Sequence, residues 1–380
     1  MRIGLISGEY PPQQGGVGAY TRILGLTLAD AGHTVFVLAG PFAHEDDSRL
    51  TLDRVSGWKL NAGRLAERWA KHRQLDAVNL QYQTAAFGMS PWVHFLPKQV
   101  HCAPVVVTFH DLRFPYLFPK AGPLRPWAVR HLANTANGVI ATNPEDFERL
   151  RSLPHAALIP IGSNIPASGG ASDLVAARQR FGVGQNEPLL VYFGLLNRGK
   201  GLHELVDALG TLHGNGLAAR LLIVGAAGSS DPTNQAYEAE LRARVASSGL
   251  SEAVTFTGFL PDSEVDALLR AADAVALPFL DGASMRRGSL MAALRAGCAI
   301  VTTTPAVPTP GFTDDEALRL VPPGDAAALA AALRQVLEDP ALRAKLRSGA
   351  ATVARQFEWP AIAASVAGFL ETVTADWRPS

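Results

Sequence analysis

The chain carries 380 residues, 48% of them hydrophobic and 18% charged, with 34 Lys+Arg balancing 34 Asp+Glu. Such a length favours two or more domains with substantial cores, and the even charge argues against nucleic acid as the main partner. Two cysteines, Cys102 and Cys298, make no disulfide framework, and no uninterrupted apolar run of about eighteen residues predicts a transmembrane helix.

Taken in order, residues 3–7 form a continuous apolar run, followed by a Gly/Pro-rich loop at 8–16 and a helix over 19–31. Gly32-His33 ends that helix, and residues 34–39 predict a second buried strand. This βαβ start implies a parallel sheet with helices on both faces. The apolar part of the N-terminus is too short for a signal peptide, so a cytoplasmic compartment is expected. Residues 60–73 predict an amphipathic helix, with Leu60, Leu65 and Trp69 set against Lys59, Arg64, Arg68 and Lys71. Strands are expected at 77–81, 105–109 and 138–142, helices at 91–99 and 124–136, and a long loop at 110–123. Asn143 caps a further helix, with Pro144 in its first turn and Glu145 and Asp146 suited to its dipole.

Composition shifts at 160–170, where Pro160, Gly162, Pro166, Ser168, Gly169 and Gly170 read as a linker. The alternation then restarts, with strands at 189–193, 219–224 and 254–257 and helices at 202–213, 237–248 and 263–271. Helices at 325–337, 340–353 and 362–373 close the chain. Two α/β domains of similar size joined by one linker predict a cleft between them.

Between these lies the stretch 274–304. A strand at 274–278 leads into a turn at 279–283, a basic Gly/Ser segment at 284–289, a helix at 290–296 stopped by Gly297, and a strand from 299. A helix N-terminus offers unpaired N–H groups and a positive dipole end, which suits phosphate. Arg286 and Arg287 add planar forks at that place. The turn also leaves the C-terminal end of a strand, where α/β folds bind ligands.

Two other glycine-rich segments compete for phosphate. Gly15-Gly16-Val17-Gly18 opens a helix but lacks the tight turn, and the acid after the second strand, that a dinucleotide site needs. The run from Gly194 to Gly201 ends in glycine where a P-loop carries Ser or Thr, although its Lys200 is still a point charge at a helix N-terminus. No His or Cys pair stands at metal spacing, no Asp-x-Asp follows a strand, and no nucleophile elbow is present, so no metal is expected. His110-Asp111, after the strand at 105–109, is the leading acid/base candidate.

Several short pieces recur in a specific order. The first half holds Glu9-Tyr10-Pro11-Pro12, Gly15-Gly16-Val17-Gly18, Gly32-His33-Thr34-Val35 and Thr108-Phe109-His110-Asp111. The second holds Pro160-Ile161-Gly162, Gly194 with Lys200-Gly201, Gly258-Phe259-Leu260 and Gly297-Cys298-Ala299-Ile300-Val301. By these the chain resembles the glycosyltransferase family 4 enzymes. The resemblance implies the α/β GT-B fold, two Rossmann-like domains facing a central cleft. Residues 1–165 would form the acceptor-side domain, 166–358 the donor domain, and 359–380 a helix crossing back to the first. It also implies retaining transfer from a nucleotide-diphosphate sugar, with no metal and no cofactor, to a glycan, lipid-linked or small-molecule acceptor.

The resemblance assigns roles by position. Gly15 and Gly16 would approach the donor diphosphate, His110 would lie beside the transferred sugar, and Lys200 would neutralise the leaving diphosphate. Gly288 and Ser289 would offer backbone N–H groups to the same phosphates. The family's paired glutamates, however, correspond here to Ser284 and Ala292, and its arginine before the lysine to Leu195. Arg198, Arg286 and Arg287 are the substitutes for that cation and Asp281 for the sugar-side acid; no residue is assigned to the ribose. Two other readings stay open, a non-catalytic sugar-nucleotide or glycan-binding protein of this fold and a sugar-nucleotide epimerase. The loop 113–123, with Phe114, Tyr116, Phe118 and Lys120, and the helix around Trp69 carry two readings as well. One is peripheral contact with the inner membrane face, the other ordinary packing aromatics with solvated charges.

Overall fold

The computed structural model describes residues 1–13, 15–112, 124–227 and 232–378. The chain divides into two units, one formed by Met1–Asn164 with Glu358–Ser380 and the other by Ile165–Phe357. Each is a fully parallel sheet covered by helices.

In the first unit the strands are β1 (Arg2–Ser7), β2 (Thr34–Ala39), β3 (Leu50–Arg54), β4 (Ala77–Tyr82), β5 (Val105–Phe109), β6 (Gly138–Ala141) and β7 (Ala156–Leu158). Their helices are α1 (Gly16–Asp30), α2 (Ala62–Arg73), α3 (Leu124–Thr135) and α4 (Pro144–Leu150). The sheet order is β3-β2-β1-β4-β5-β6-β7. The order therefore reverses between β1 and β4, the switch point at which such sheets leave a crevice beyond their carboxyl ends. The central strands are buried on both faces, which is why β1 and β5 read as unbroken apolar runs.

The second unit contains α5 (Ala171–Arg180), β8 (Leu189–Phe193), α6 (Leu202–Gly214), β9 (Arg220–Val224), α7 (Pro232–Ser247), β10 (Val254–Gly258) and α8 (Asp262–Ala271). It continues with β11 (Ala274–Leu277), α9 (Gly288–Arg295), β12 (Ile300–Thr303), β13 (Arg319–Val321), α10 (Ala326–Glu338) and α11 (Pro340–Ala354). Its order is β10-β9-β8-β11-β12-β13, with the switch point between β8 and β11.

The last helix, α12 (Trp359–Asp376), packs on α1 and belongs to the first unit's core. Ile362, Ala363, Val366, Ala367, Leu370 and Val373 are buried there beside Leu24, Leu28 and Ile140. Its start is pinned by Trp359, whose indole N–H donates to the Ser163 carbonyl at 2.6 Å. Gly162 permits that fit, because a Cβ there would lie 2.7 Å from the indole ring.

Some expectations are corrected. The helix foreseen at 91–99 is two short 3-10 turns, Trp92–Phe95 and Pro97–Gln99, because Pro97 cannot continue a helix from the first. α2 starts at Ala62, so Leu60 lies outside it and is 67% exposed. Trp69 is buried and donates to Asp53 at 2.8 Å, so this ring packs inside the unit and is not offered to a lipid surface. The loop at 113–123 lies outside the described residues. Among the described residues no helix is long and apolar enough to cross a membrane.

Candidate active site

At the switch point of the second sheet, the turns after β8 and β11 meet. The turn after β8 folds into one 3-10 turn, Arg198–Lys200, and Gly201 then starts α6 from a left-handed conformation with φ of 69°. A Cβ at Gly201 would stand 1.9 Å from the Pro278 carbonyl oxygen, so the two turns touch backbone to backbone. The Leu280 amide donates to the Gly199 carbonyl at 3.1 Å and ties them together. Gly201→Ala should therefore lower the melting temperature by at least about 5 °C through left-handed strain and this clash, read by calorimetry. An unchanged melting temperature would contradict the close approach.

That junction gathers charge. Phe279 is fully buried, and two cations stand over its ring, the Lys200 ammonium at 5.1 Å and the Arg287 guanidinium at 4.9 Å from the centroid. Arg287 forms an ion pair with Asp281, and Arg286 reaches the same carboxylate at 3.5 Å. Among the described residues three cations thus gather around this one acid. Burial first, then the Arg287 and Arg286 charges, push the half-buried Lys200 ammonium down to about 7, against the pull of Asp281. A bound anion would relieve that strain.

Arg287 is the N-cap of α9, so Gly288 and Ser289 form its first turn, where N–H groups have no partner inside the helix. A Cβ at Gly288 would meet nothing within 4 Å, so the backbone is open to a ligand there. Lys200, Asp281, Arg286, Arg287, Gly288 and Ser289 are therefore brought to one place. Arg198 is not part of this cluster's ion pairs: it is exposed, pairs with Glu240 at 2.6 Å and covers the Tyr237 ring. Asp281 serves first as counter-ion to the two arginines. Ala292 is fully buried in α9 and Leu195 is 47% exposed, so neither supplies polar chemistry.

In the first unit, the glycine run at the start of α1 has mainly a local cause. The Glu9 carboxylate accepts from the Val17 amide at 2.9 Å and the Gly18 amide at 3.1 Å, capping the helix from eight or nine residues away. A Cβ at Gly15 would lie 2.2 Å from that carboxylate, and one at Gly18 would lie 3.0 Å from the Tyr10 Cα. Gly15 and Gly18 are thus glycines because this loop is tight. Gly16 alone is exposed with nothing within 4 Å of its Cβ position, and of the run it is the one whose backbone a ligand can approach.

His110 follows β5, beyond the carboxyl end of the sheet, with its amide donating to the Tyr82 carbonyl at 3.1 Å. Its ring packs edge-on against Tyr20 of α1 at 4.7 Å, and Tyr20 in turn meets Trp359 at 5.2 Å. Burial holds the imidazole down to about 3, so it is neutral at physiological pH and suited to hydrogen bonding rather than to proton abstraction. Its Nε2 lies 2.9 Å from the Gln81 amide oxygen. Asn79 and Gln81 were not foreseen as site residues. The signal was present as two amides at alternate positions of a strand whose other residues are apolar or aromatic.

Comparison with known proteins bears on both units. The profile described as Glycosyltransferase Family 4 matches residues 14–163, and the one described as Glycosyl transferases group 1 matches residues 176–353. The phosphatidyl-myo-inositol mannosyltransferase of Mycolicibacterium smegmatis is 28% identical over 98% of this chain and 94% of its own length. Sucrose-phosphate synthase from Thermosynechococcus elongatus superposes with a TM-score of 0.81 at 22% identity, covering 99% of this chain and 100% of that one. Anabaena HepE, solved in complex with UDP-glucose, superposes with a TM-score of 0.75 at 21% identity, covering 98% of this chain and 100% of that one. With the two parallel-sheet units and these matches, the chain belongs to the glycosyltransferases of family 4, enzymes of the GT-B fold.

Proposed function

We propose that this glycosyltransferase takes its sugar from a nucleotide-diphosphate sugar and transfers it with retention, without a metal or other cofactor. The observation that carries the reading is the cation cluster of Lys200, Arg286 and Arg287 beside the first turn of α9. It supplies what a leaving diphosphate needs, positive charge and N–H donors preset in a half-buried place. Gly16 offers backbone to the donor, and neutral His110 serves the transferred sugar. The acceptor is a glycan, a lipid-linked molecule or a small molecule, and the M. smegmatis relative, named for phosphatidyl-myo-inositol, favours trying lipid-linked inositols first.

The test is a panel of uridine, guanosine and deoxythymidine diphosphate sugars, read by release of the nucleoside diphosphate and by the anomeric configuration of the product. UDP-glucose, the ligand of HepE, is the first to try. Release with retained configuration is expected; inversion, or no release from any donor, overturns the reading.

A narrower expectation concerns the nucleoside. A buried carboxylate gripping the ribose would be stranded by a deoxy donor and would penalise it strongly. Neither Ser284 nor Ala292 supplies one, and Asp281 is held by two arginines. UDP and dUDP should therefore bind within about tenfold of each other, a difference of roughly 1.4 kcal/mol. Titration calorimetry showing a hundredfold preference for UDP would contradict this. Ala292→Glu is a poor way to restore the acid, since that position is fully buried and the new carboxylate would lack a partner.

A further inference from the structure

β4 reads Ala-Val-Asn-Leu-Gln-Tyr, and all six residues are buried. It lies inside the sheet between β1 and β5. Two amide side chains on one face of such a strand are costly unless each hydrogen-bonding group finds a partner. In register, Asn79 stands opposite Val106 and Gln81 opposite Thr108, so β5 and the residue beyond it supply those partners.

The order of donors and acceptors follows from one fixed point. Asn79 Nδ2 lies 3.2 Å from the Val106 carbonyl oxygen and 2.9 Å from Thr108 Oγ1. A carbonyl oxygen can only accept, so the Asn79 amide nitrogen faces β5 and its Oδ1 faces Gln81. Gln81 Nε2 donates to that Oδ1, which turns Gln81 Oε1 towards His110. The Nε2 of His110 lies 2.9 Å from it. An amide oxygen also only accepts, so Nε2 must carry the imidazole proton. A neutral imidazole has one such proton, and Nδ1 is left as a bare lone pair. Among the described residues no hydrogen bond reaches Nδ1, so its lone pair has no partner among them.

We propose that Gln81, itself oriented by Asn79, is a positioning residue that locks His110 in the Nε2–H tautomer and presents Nδ1 as an acceptor to a hydroxyl of the bound sugar. The tautomer stands on the hydrogen-bond chain alone; its use in transfer rests on the reading of His110 as the residue facing the sugar. Mutual satisfaction of the two amides would be enough to hold β4 and β5 in register. The third link, to a histidine at the sheet's carboxyl edge, adds a chemical orientation that register does not need.

The direct test is heteronuclear NMR of the intact chain with its histidine rings isotopically labelled, at neutral pH and without ligand. His110 should show a protonated Nε2 and an unprotonated Nδ1. A protonated Nδ1, or a mixture of tautomers, overturns the proposal whatever the enzyme's activity. Gln81→Met, close in shape but without the acceptor, should release the lock and give mixed tautomers. Hydrolysis of UDP-glucose and GDP-mannose, used as probes, should then fall about tenfold or more in kcat, with donor KM changed less. Gln81→Glu loses the donor to Asn79 Oδ1 and sets a carboxylate against Nε2, which favours the imidazolium. With Nδ1 then protonated, kcat should fall at neutral pH as in Gln81→Met, and an unchanged kcat would overturn the acceptor role of Nδ1. If Gln81→Met loosens the tautomer yet kcat is unchanged, Nδ1 does not face the sugar and the functional half of the proposal is overturned. Should Gln81→Met fail to fold, the wild-type spectrum and Gln81→Glu still decide.

Discussion

Lys200→Ala should reduce turnover roughly 100- to 1,000-fold, the usual loss of about 2.7–4 kcal/mol when a preset charge-stabilising donor is removed. The fold should not suffer. In the native chain the ammonium sits where burial and two arginines disfavour its charge, so its pKa lies near 7, below that of the unfolded chain. The unfolded chain therefore binds more protons between about 7 and the ordinary lysine value, and stability rises with pH across that window. Below it the charge costs stability in full, so at pH 6 the alanine variant should melt at or above the wild-type temperature. The same shift predicts the pH profile. Lys200 loses its proton as pH rises through about 7, so kcat/KM for the donor should fall on the alkaline side of that value. Once diphosphate is bound the charged form is favoured, and the kcat plateau should extend to higher pH. Near-wild-type turnover in Lys200→Ala would place the phosphates elsewhere.

The second large effect is structural. A chain ending before Trp359 should fail to fold its first unit. It would lose Ile362, Val366, Leu370 and Val373 from the core, each worth about 1.5–3 kcal/mol of burial. The loss of roughly 6–12 kcal/mol matches the whole stability of an ordinary domain. It would also uncover the face of α1 on which α12 packs, and leave the Ser163 carbonyl without its indole donor. Tyr20, which carries the contact from Trp359 to His110, would lose the indole against which its ring packs. Soluble yield and circular dichroism read the outcome; a truncated chain with unchanged melting would refute the role given to α12.

The α/β alternation was legible because interior strands of a parallel sheet are buried on both faces and read as apolar runs, as in Val105–Phe109 and Leu189–Phe193. Edge strands were harder. β3 is half exposed, and β7 and β13 are three residues each, too short to show a period. α5 was missed because it follows Gly169-Gly170 and buries little apolar surface, so its first residues merge with the linker signal. The junction of Lys200, Arg286 and Arg287 could be anticipated from charge placed after strands. The pairing of both arginines with Asp281 could not, since it depends on how one turn folds back. Nor could the Glu9 cap, which spends two amides of the α1 N-terminus on the chain's own carboxylate and leaves Gly16 as the open one.

In the proposed reaction the protein's own cations, rather than a metal, stabilise the departing nucleoside diphosphate, and this stabilisation should survive chelation. It is tested most directly by turnover of an accepted sugar nucleotide in excess EDTA. The rate should stay within about twofold of that without chelator, and Lys200→Ala should lose at least about 100-fold of it under the same conditions. Activity that disappears in EDTA and returns only with magnesium or manganese would contradict it.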